Sequence, residues 1–129
     1  MKTLAALVLF ALLTARGGAR VGESLYELKL RYGRPFDVAG TDESAIDHAS
    51  FQRDNYRIEV RLRDGRGVSE TITKRDRRDF TLQEVQDLLV DAGFPGAAWR
   101  QVNPATWTQR DRTAVWSGRT FTVSIHDRD

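Results

Sequence analysis

The chain has two histidines, His48 and His126, and no cysteine. That inventory excludes a thiol nucleophile and a thiolate metal site. A Gly-x-Ser-x-Gly elbow, a phosphate-binding glycine loop and a His-Glu-x-x-His motif are all absent. The densest group of potential ligands is Asp42, Glu43, Asp47 and His48, four oxygen or nitrogen donors within seven residues. Hard cations such as calcium take oxygen donors of this kind, but the spacing matches no EF-hand loop. Acids in a polar connector are ordinarily solvated, and the adjacent Asp47 and His48 do not face each other as a general-base pair. Ser124 and His126 share one face of an extended segment, so a serine–histidine pair is sterically open. No acid or oxyanion hole accompanies it. The chain is therefore read as carrying no catalytic, cofactor or metal set.

The remaining chemistry is recognition. Arg57, Arg61 and Arg63 alternate with Glu59 and project to the same side as Thr71, Thr73, Thr120, Thr122 and His126. Guanidinium forks and hydroxyls on a rigid sheet suit carboxylates and other anionic groups. Arg57, Arg61, Arg63, Thr120, Thr122 and His126 form the expected binding surface. Trp99, Trp107 and Trp116 would stack on sugar rings or anchor a protein partner if exposed. Trp116 is expected in the core, and core anchoring is also the favoured role for Trp99 and Trp107. Glu70 and Arg112 project onto the apolar side, where buried charge is costly unless paired; either they meet each other or one lies at the sheet margin.

Two helices position these groups. Ser24-Leu25-Tyr26-Glu27 and Thr81-Leu82-Gln83-Glu84 are both capping boxes, and Phe80 can pack on Val85 as a hydrophobic staple. Leu25, Leu28 and Tyr32 form the first buried stripe, closed by Gly33 and Pro35. Leu82, Val85, Leu88, Leu89 and Ala92 form the second, closed by Gly93 and Pro95. Between the helices the period becomes two: Tyr56, Ile58, Val60 and Leu62 alternate with charged residues. A two-residue Asp54-Asn55 turn pairs Arg53 with Tyr56 and Phe51 with Ile58. An odd loop after Leu62 pairs Leu62 with Val68 and sets Glu70 opposite Val60. Ser117-Gly118 as a two-residue loop pairs Ala114 with Phe121 and Arg112 with Val123. Residues 94–110 show no clear period and read as a crossing loop, and no internal repeat is evident. The expected fold is α+β, an antiparallel sheet of about five strands with two helices on one face, in the order α-β-β-β-α-β-β.

Lys2, the apolar run Leu4–Leu13 and the small residues near Ala19 have the three parts of a secretory signal. Residues 1–19 are expected to be a leader cut after Ala19, leaving 20–129 as a single domain that is secreted or periplasmic. The full chain has 20 Lys and Arg against 18 Asp and Glu; without Lys2 and Arg16 the balance is 18 against 18. A neutral domain lacks the net basic face that binds phosphates without regard to sequence, so nucleic acid is not an expected partner. With no cysteine, neither a disulfide nor a lipid-modified cysteine is available, and no stable membrane anchor is expected after cleavage.

Gly22-Glu23-Ser24-Leu25-Tyr26-Glu27-Leu28, continuing to Tyr32-Gly33-Arg34-Pro35 and followed by a strand ending in Asp64-Gly65, resembles the opening of small bacterial envelope domains. These include the small lipoprotein of the outer-membrane protein assembly machinery, the repeats of beta-lactamase inhibitor protein, and uncharacterised small secreted bacterial proteins. The resemblance implies a protein-binding module whose sheet face meets its partner. The expected function is accordingly non-enzymatic protein binding, inhibitor-like or assembly-like. The competing class is an envelope enzyme using His48 or His126, or a carbohydrate-binding module using Trp99 or Trp107.

Overall fold

A computed structural model describes residues 21–40, 46–94 and 96–126. The expected leader, Asp42, Glu43 and Pro95 lie outside the described residues. Among these residues the chain forms α1 (Leu25–Tyr32), β1 (Asp37–Ala39), β2 (His48–Arg53), β3 (Tyr56–Arg63), β4 (Arg66–Lys74), α2 (Leu82–Ala92), β5 (Arg100–Asn103), β6 (Thr106–Gln109), β7 (Arg112–Ser117) and β8 (Thr120–Ile125). A single antiparallel sheet takes the strands in the order β1-β2-β3-β4-β8-β7-β6-β5. The α+β class, the two helices and the antiparallel sheet agree with the sequence reading, but the sheet has eight strands rather than about five. The additional strands carry little pattern. β1 has three residues, all exposed, and β5 is exposed throughout. β6 turns Gln109 inward beside Trp107, which hides its alternation. The stretch expected as a crossing loop is thus largely the β5–β6 hairpin. The architecture is a helix followed by a four-stranded meander, twice.

Both helices start at their capping boxes. Ser24 Oγ accepts from Glu27 N–H at 3.2 Å, while Glu27 Oε1 accepts from Ser24 N–H at 3.1 Å. Thr81 and Glu84 repeat the exchange at 3.2 and 2.9 Å. Each satisfies two amides that a helix end would otherwise leave open. α1 buries Leu25, Leu28 and Tyr32, and α2 buries Val85, Leu88, Leu89 and Ala92. Leu82 departs from its expected core position and is 56% exposed. Helical side chains lean toward the N-terminus, so at the first position Leu82 points past the core, and Phe80 is buried there instead.

The register follows the side chains. Arg53 pairs with Tyr56 and Phe51 with Ile58 around Asp54-Asn55, and Glu70 stands opposite Val60. Leu62 pairs with Gly67 rather than Val68, because a bulge between Arg61 and Leu62 absorbs the extra residue. The last turn is Gly118-Arg119 rather than Ser117-Gly118, so Ala114 pairs with Val123 and Arg112 with Ile125. A two-residue shift keeps every side chain on its predicted face. Gly118 then occupies the first turn position at φ 53°, a left-handed conformation that glycine adopts freely.

Phe51, Phe121, Leu28, Val60, Val85 and Val123 lie fully inside. The Tyr32 ring sits 5.5 Å from Phe51, centroid to centroid, and its hydroxyl donates to Glu70 Oε1 at 3.5 Å. Burial, reinforced by the Glu70 carboxylate, pushes the Tyr32 phenol well above its ordinary pKa. Arg112 Nη1 donates to Ala92 O at 2.9 Å at the end of α2, with the guanidinium 4.0 Å from the Phe94 ring centroid. Both inward charges therefore tie a helix to the sheet. Trp116, expected in the core, is half-buried: it packs against the core from its margin and donates Nε1–H to Gly118 O at 3.1 Å.

Removing the cap acceptor tests the α2 start: Thr81→Ala is expected to cost about 1 kcal/mol in denaturant unfolding, and an unchanged midpoint would contradict this. The backbone amides of Ser24 and Thr81 hold the Glu27 and Glu84 carboxyls below the ordinary glutamate value of 4.5. A lowered folded pKa contributes stability above the unfolded value and loses it as pH falls through the folded one. Melting temperature is therefore expected to fall as pH drops below the ordinary glutamate value of 4.5, and Glu84→Gln to flatten part of that slope.

Candidate functional site

The face opposite the helices is made by the strand residues that alternate with the core. Cross-strand register aligns them in rows. One row runs Gln52, Arg57, Thr73, Thr120, Ser117; the next Ser50, Glu59, Thr71, Thr122, Val115; the third His48, Arg61, Ser69, Ser124, Thr113. At the junction of the two meanders the Thr71 and Thr122 hydroxyls lie 3.1 Å apart. The middle of this face is a field of hydroxyl groups, with guanidinium groups along β3.

The predicted binding residues share this side of the sheet without forming one site. Arg57 and Thr120 stand in the same row, two strand spacings or about 10 Å apart. Arg61 lies four residues further along β3, about 13 Å from Arg57. Arg63 stands opposite Arg66 at the hairpin end. His126 follows β8, with its ring nitrogen on the Thr113 hydroxyl and its backbone N–H on Asp111 O at 2.8 Å. The hydroxyl facing the His126 ring is thus Thr113 rather than Ser124. His48 and His126 are separated by three strand spacings, at least about 14 Å, so they do not share a centre.

Two hollows open toward opposite ends of strand β3. Asp47, His48, Arg61 and Arg63 line one, together with Leu62 and Val68. The other is lined by Gln52, Arg57, Thr73, Lys74, Arg75, Arg77 and Arg119, with five cations and no carboxylate in its wall. The run Lys74-Arg75-Asp76-Arg77-Arg78 is the sequence signal for this second hollow. Only the pairing of β4 with β8 brings Arg119 to it.

Of the acidic group proposed as cation ligands, Asp47 is exposed and His48 half-buried, while Asp42 and Glu43 lie outside the described residues. Among the described residues no three His, Asp or Glu side chains converge as metal ligands. Trp107 is buried. Trp99 packs against the core and donates Nε1–H to Leu89 O at 2.7 Å. A Cβ on Gly93 would fall 2.6 Å from that nitrogen and 2.9 Å from Gln109 Oε1, so only glycine leaves the tryptophan room there. Gln109 completes the joint, accepting from Phe94 N–H at 2.6 Å and donating to Ala97 O at 2.9 Å.

No family model matches the chain, and no curated protein matches it. Among solved structures, a cysteine-rich secretory protein from Staphylococcus aureus subsp. aureus Mu50 matches with a TM-score of 0.49 and 11% identity, over 87% of this chain and 48% of that one. Among the described residues no helix is long and apolar enough to cross a membrane.

The Trp99 joint predicts that Trp99→Phe, which keeps an aromatic ring but loses the bond to Leu89 O, costs about 1 kcal/mol. Equilibrium unfolding checks this; an unchanged free energy would show that the indole N–H does not brace α2.

Proposed function

We propose that the chain is a non-enzymatic module of the bacterial envelope or secreted space that holds a protein partner on the open face of its sheet. The observation that carries this reading is the face itself, where rows of hydroxyl and guanidinium groups lie on hydrogen-bonded strands with both helices on the far side. Groups fixed on a sheet lose little freedom when they bind, so more of each contact survives as affinity. The resemblance of Gly22–Leu28 and Tyr32–Pro35 to envelope inhibitor and assembly domains supports the same reading, and the leader-like start supports the compartment. The alternatives draw less support. The two histidines are apart, Trp107 is buried, and the Trp99 N–H is engaged with α2.

A photo-crosslinking residue placed at Thr122, with a second placed at Leu30 on the helix side, tests this reading. Leu30 is 70% exposed, more open than the half-buried Thr122, and so provides a control that is at least as accessible. In secreted and periplasmic fractions of the producing organism, the Thr122 chain is expected to form a defined protein adduct that the Leu30 chain does not. No adduct, or the same adducts from both positions, would contradict it.

A further inference from the structure

The basic hollow is a sharper feature than the face around it. Arg57, Thr73 and Thr120 are aligned by register across β3, β4 and β8, and the neighbouring turn adds Arg119. Arg75 and Arg77 follow directly on β4. The carboxylates near this wall are few and mostly committed. Glu84 holds Lys74 at 3.1 Å. Asp76 accepts from Arg78 N–H at 3.1 Å and from Asn55 at 3.2 Å, contacts that lower its pKa. Glu59 lies 3.6 Å from Arg57, both about half exposed, and Asp79 lies 3.6 Å from Arg119, both largely exposed. Solvated pairs at such distances contribute little and exchange readily. Arg75 donates to the Asp54 backbone carbonyl at 3.3 Å, a partner without net charge. For Arg77 no carboxylate lies within ion-pair distance among the described residues.

No carboxylate lines the hollow itself, and the exposed Glu59 and Asp79 offset Arg57 and Arg119 only weakly, so the converging positive charge retains a self-repulsion that an anion relieves. Four of the five cations are arginines, whose planar forks pair with carboxylates in bidentate fashion. The positive charge is local, since the adjoining row carries Glu59 as its one charged residue beside Ser50, Thr71, Thr122 and Val115, and holds no tryptophan on which bases could stack. A nucleic acid needs a longer basic track and stacking platforms, whereas two or three carboxylates fit a hollow of this span. Resting on the reading of this face as protein-binding, we infer that the Arg57–Arg75–Arg77–Arg119 corner is the subsite for an acidic, Asp- or Glu-rich segment of the partner. The adjoining threonine hydroxyls then meet the polar groups that flank those carboxylates.

Titration of the full chain with hexaglutamate, followed by amide NMR and calorimetry at low salt, tests the assignment. Hexaglutamine, pyrophosphate and a six-nucleotide single-stranded DNA serve as comparison probes. Hexaglutamate is expected to shift the amides of Arg57, Thr73, Arg77 and Arg119 saturably and to weaken as salt rises. Arg119→Glu should weaken it at least about tenfold, while Arg34→Glu, beside α1, leaves it unchanged. Arg77 sits at φ 63°, a left-handed conformation that asparagine tolerates. Arg77→Asn should therefore bind more weakly with no loss of melting temperature, which separates recognition from folding. No saturable shift at the corner, equal or tighter binding of pyrophosphate or DNA, or an Arg119→Glu chain that binds as before would each overturn the assignment. A Thr122 adduct that persists while hexaglutamate shifts nothing would overturn the subsite and leave the protein-binding face standing. Shifts at the corner without any Thr122 adduct would overturn the placement of the acidic segment within a partner bound on that face.

Discussion

The ladder between β4 and β8 is the constraint on which the other features depend. Five residue pairs, Ser69 with Ser124 through Thr73 with Thr120, join the last strand of each meander. Because each half ends where the other ends, the remaining strands extend outward in opposite directions and the sheet closes on β1 and β5. Those edges are short, three and four residues, which limits further strand pairing. On the inner side the same ladder sets Glu70 opposite Val123 and Ile72 opposite Phe121. The Tyr32–Glu70 contact therefore reaches from α1 to the junction of the two halves. On the outer side it brings Thr71 to Thr122 and Arg119 to Arg57.

The two helices have 8 and 11 residues, and their buried stripes meet one face of an eight-stranded sheet. The other face has to be compatible with water, and the alternation of the strands supplies it with hydroxyls and charges. This division explains why the face is rich in hydroxyl and guanidinium groups. Its arginines are spread along β3 at the strand repeat, so they act at separate places rather than as one cluster. The basic hollow forms where a turn and a strand end coincide, at Arg119 and Lys74–Arg77.

Local signals in the chain account for most of what the sequence made legible. The capping boxes at Ser24 and Thr81 locate both helices because the reciprocal bonds need those residue types at that spacing. The Phe51–Ile58 register follows from a short turn between two alternating runs. The last hairpin is harder, because turns at Ser117-Gly118 and Gly118-Arg119 leave the same side chains inside and burial cannot choose between them. Val68 illustrates the same limit, since a bulge is a one-residue choice that alternation does not encode. β1 and β5 escaped notice because exposed edge strands carry no apolar period, and β6 because Gln109 occupies an inward position. The candidate binding residues were legible as to face but not as to place. Which strands become neighbours is decided by the β4–β8 pairing, and nothing local to Arg57 or Arg119 announces that they will meet.

The central claim is that the half-buried hydroxyls at Thr71 and Thr122 face solvent in the free protein, Ser50 at the β2 end of their row being buried. Solvent paramagnetic relaxation of methyl resonances in solution measures this directly. The account predicts strong enhancement at the Thr71, Thr73, Thr120 and Thr122 methyls and weak enhancement at those of Val60, Ile72 and Val123, which point into the core. Equal shielding of both sets would mean that the hydroxyl face is covered, and would contradict the account.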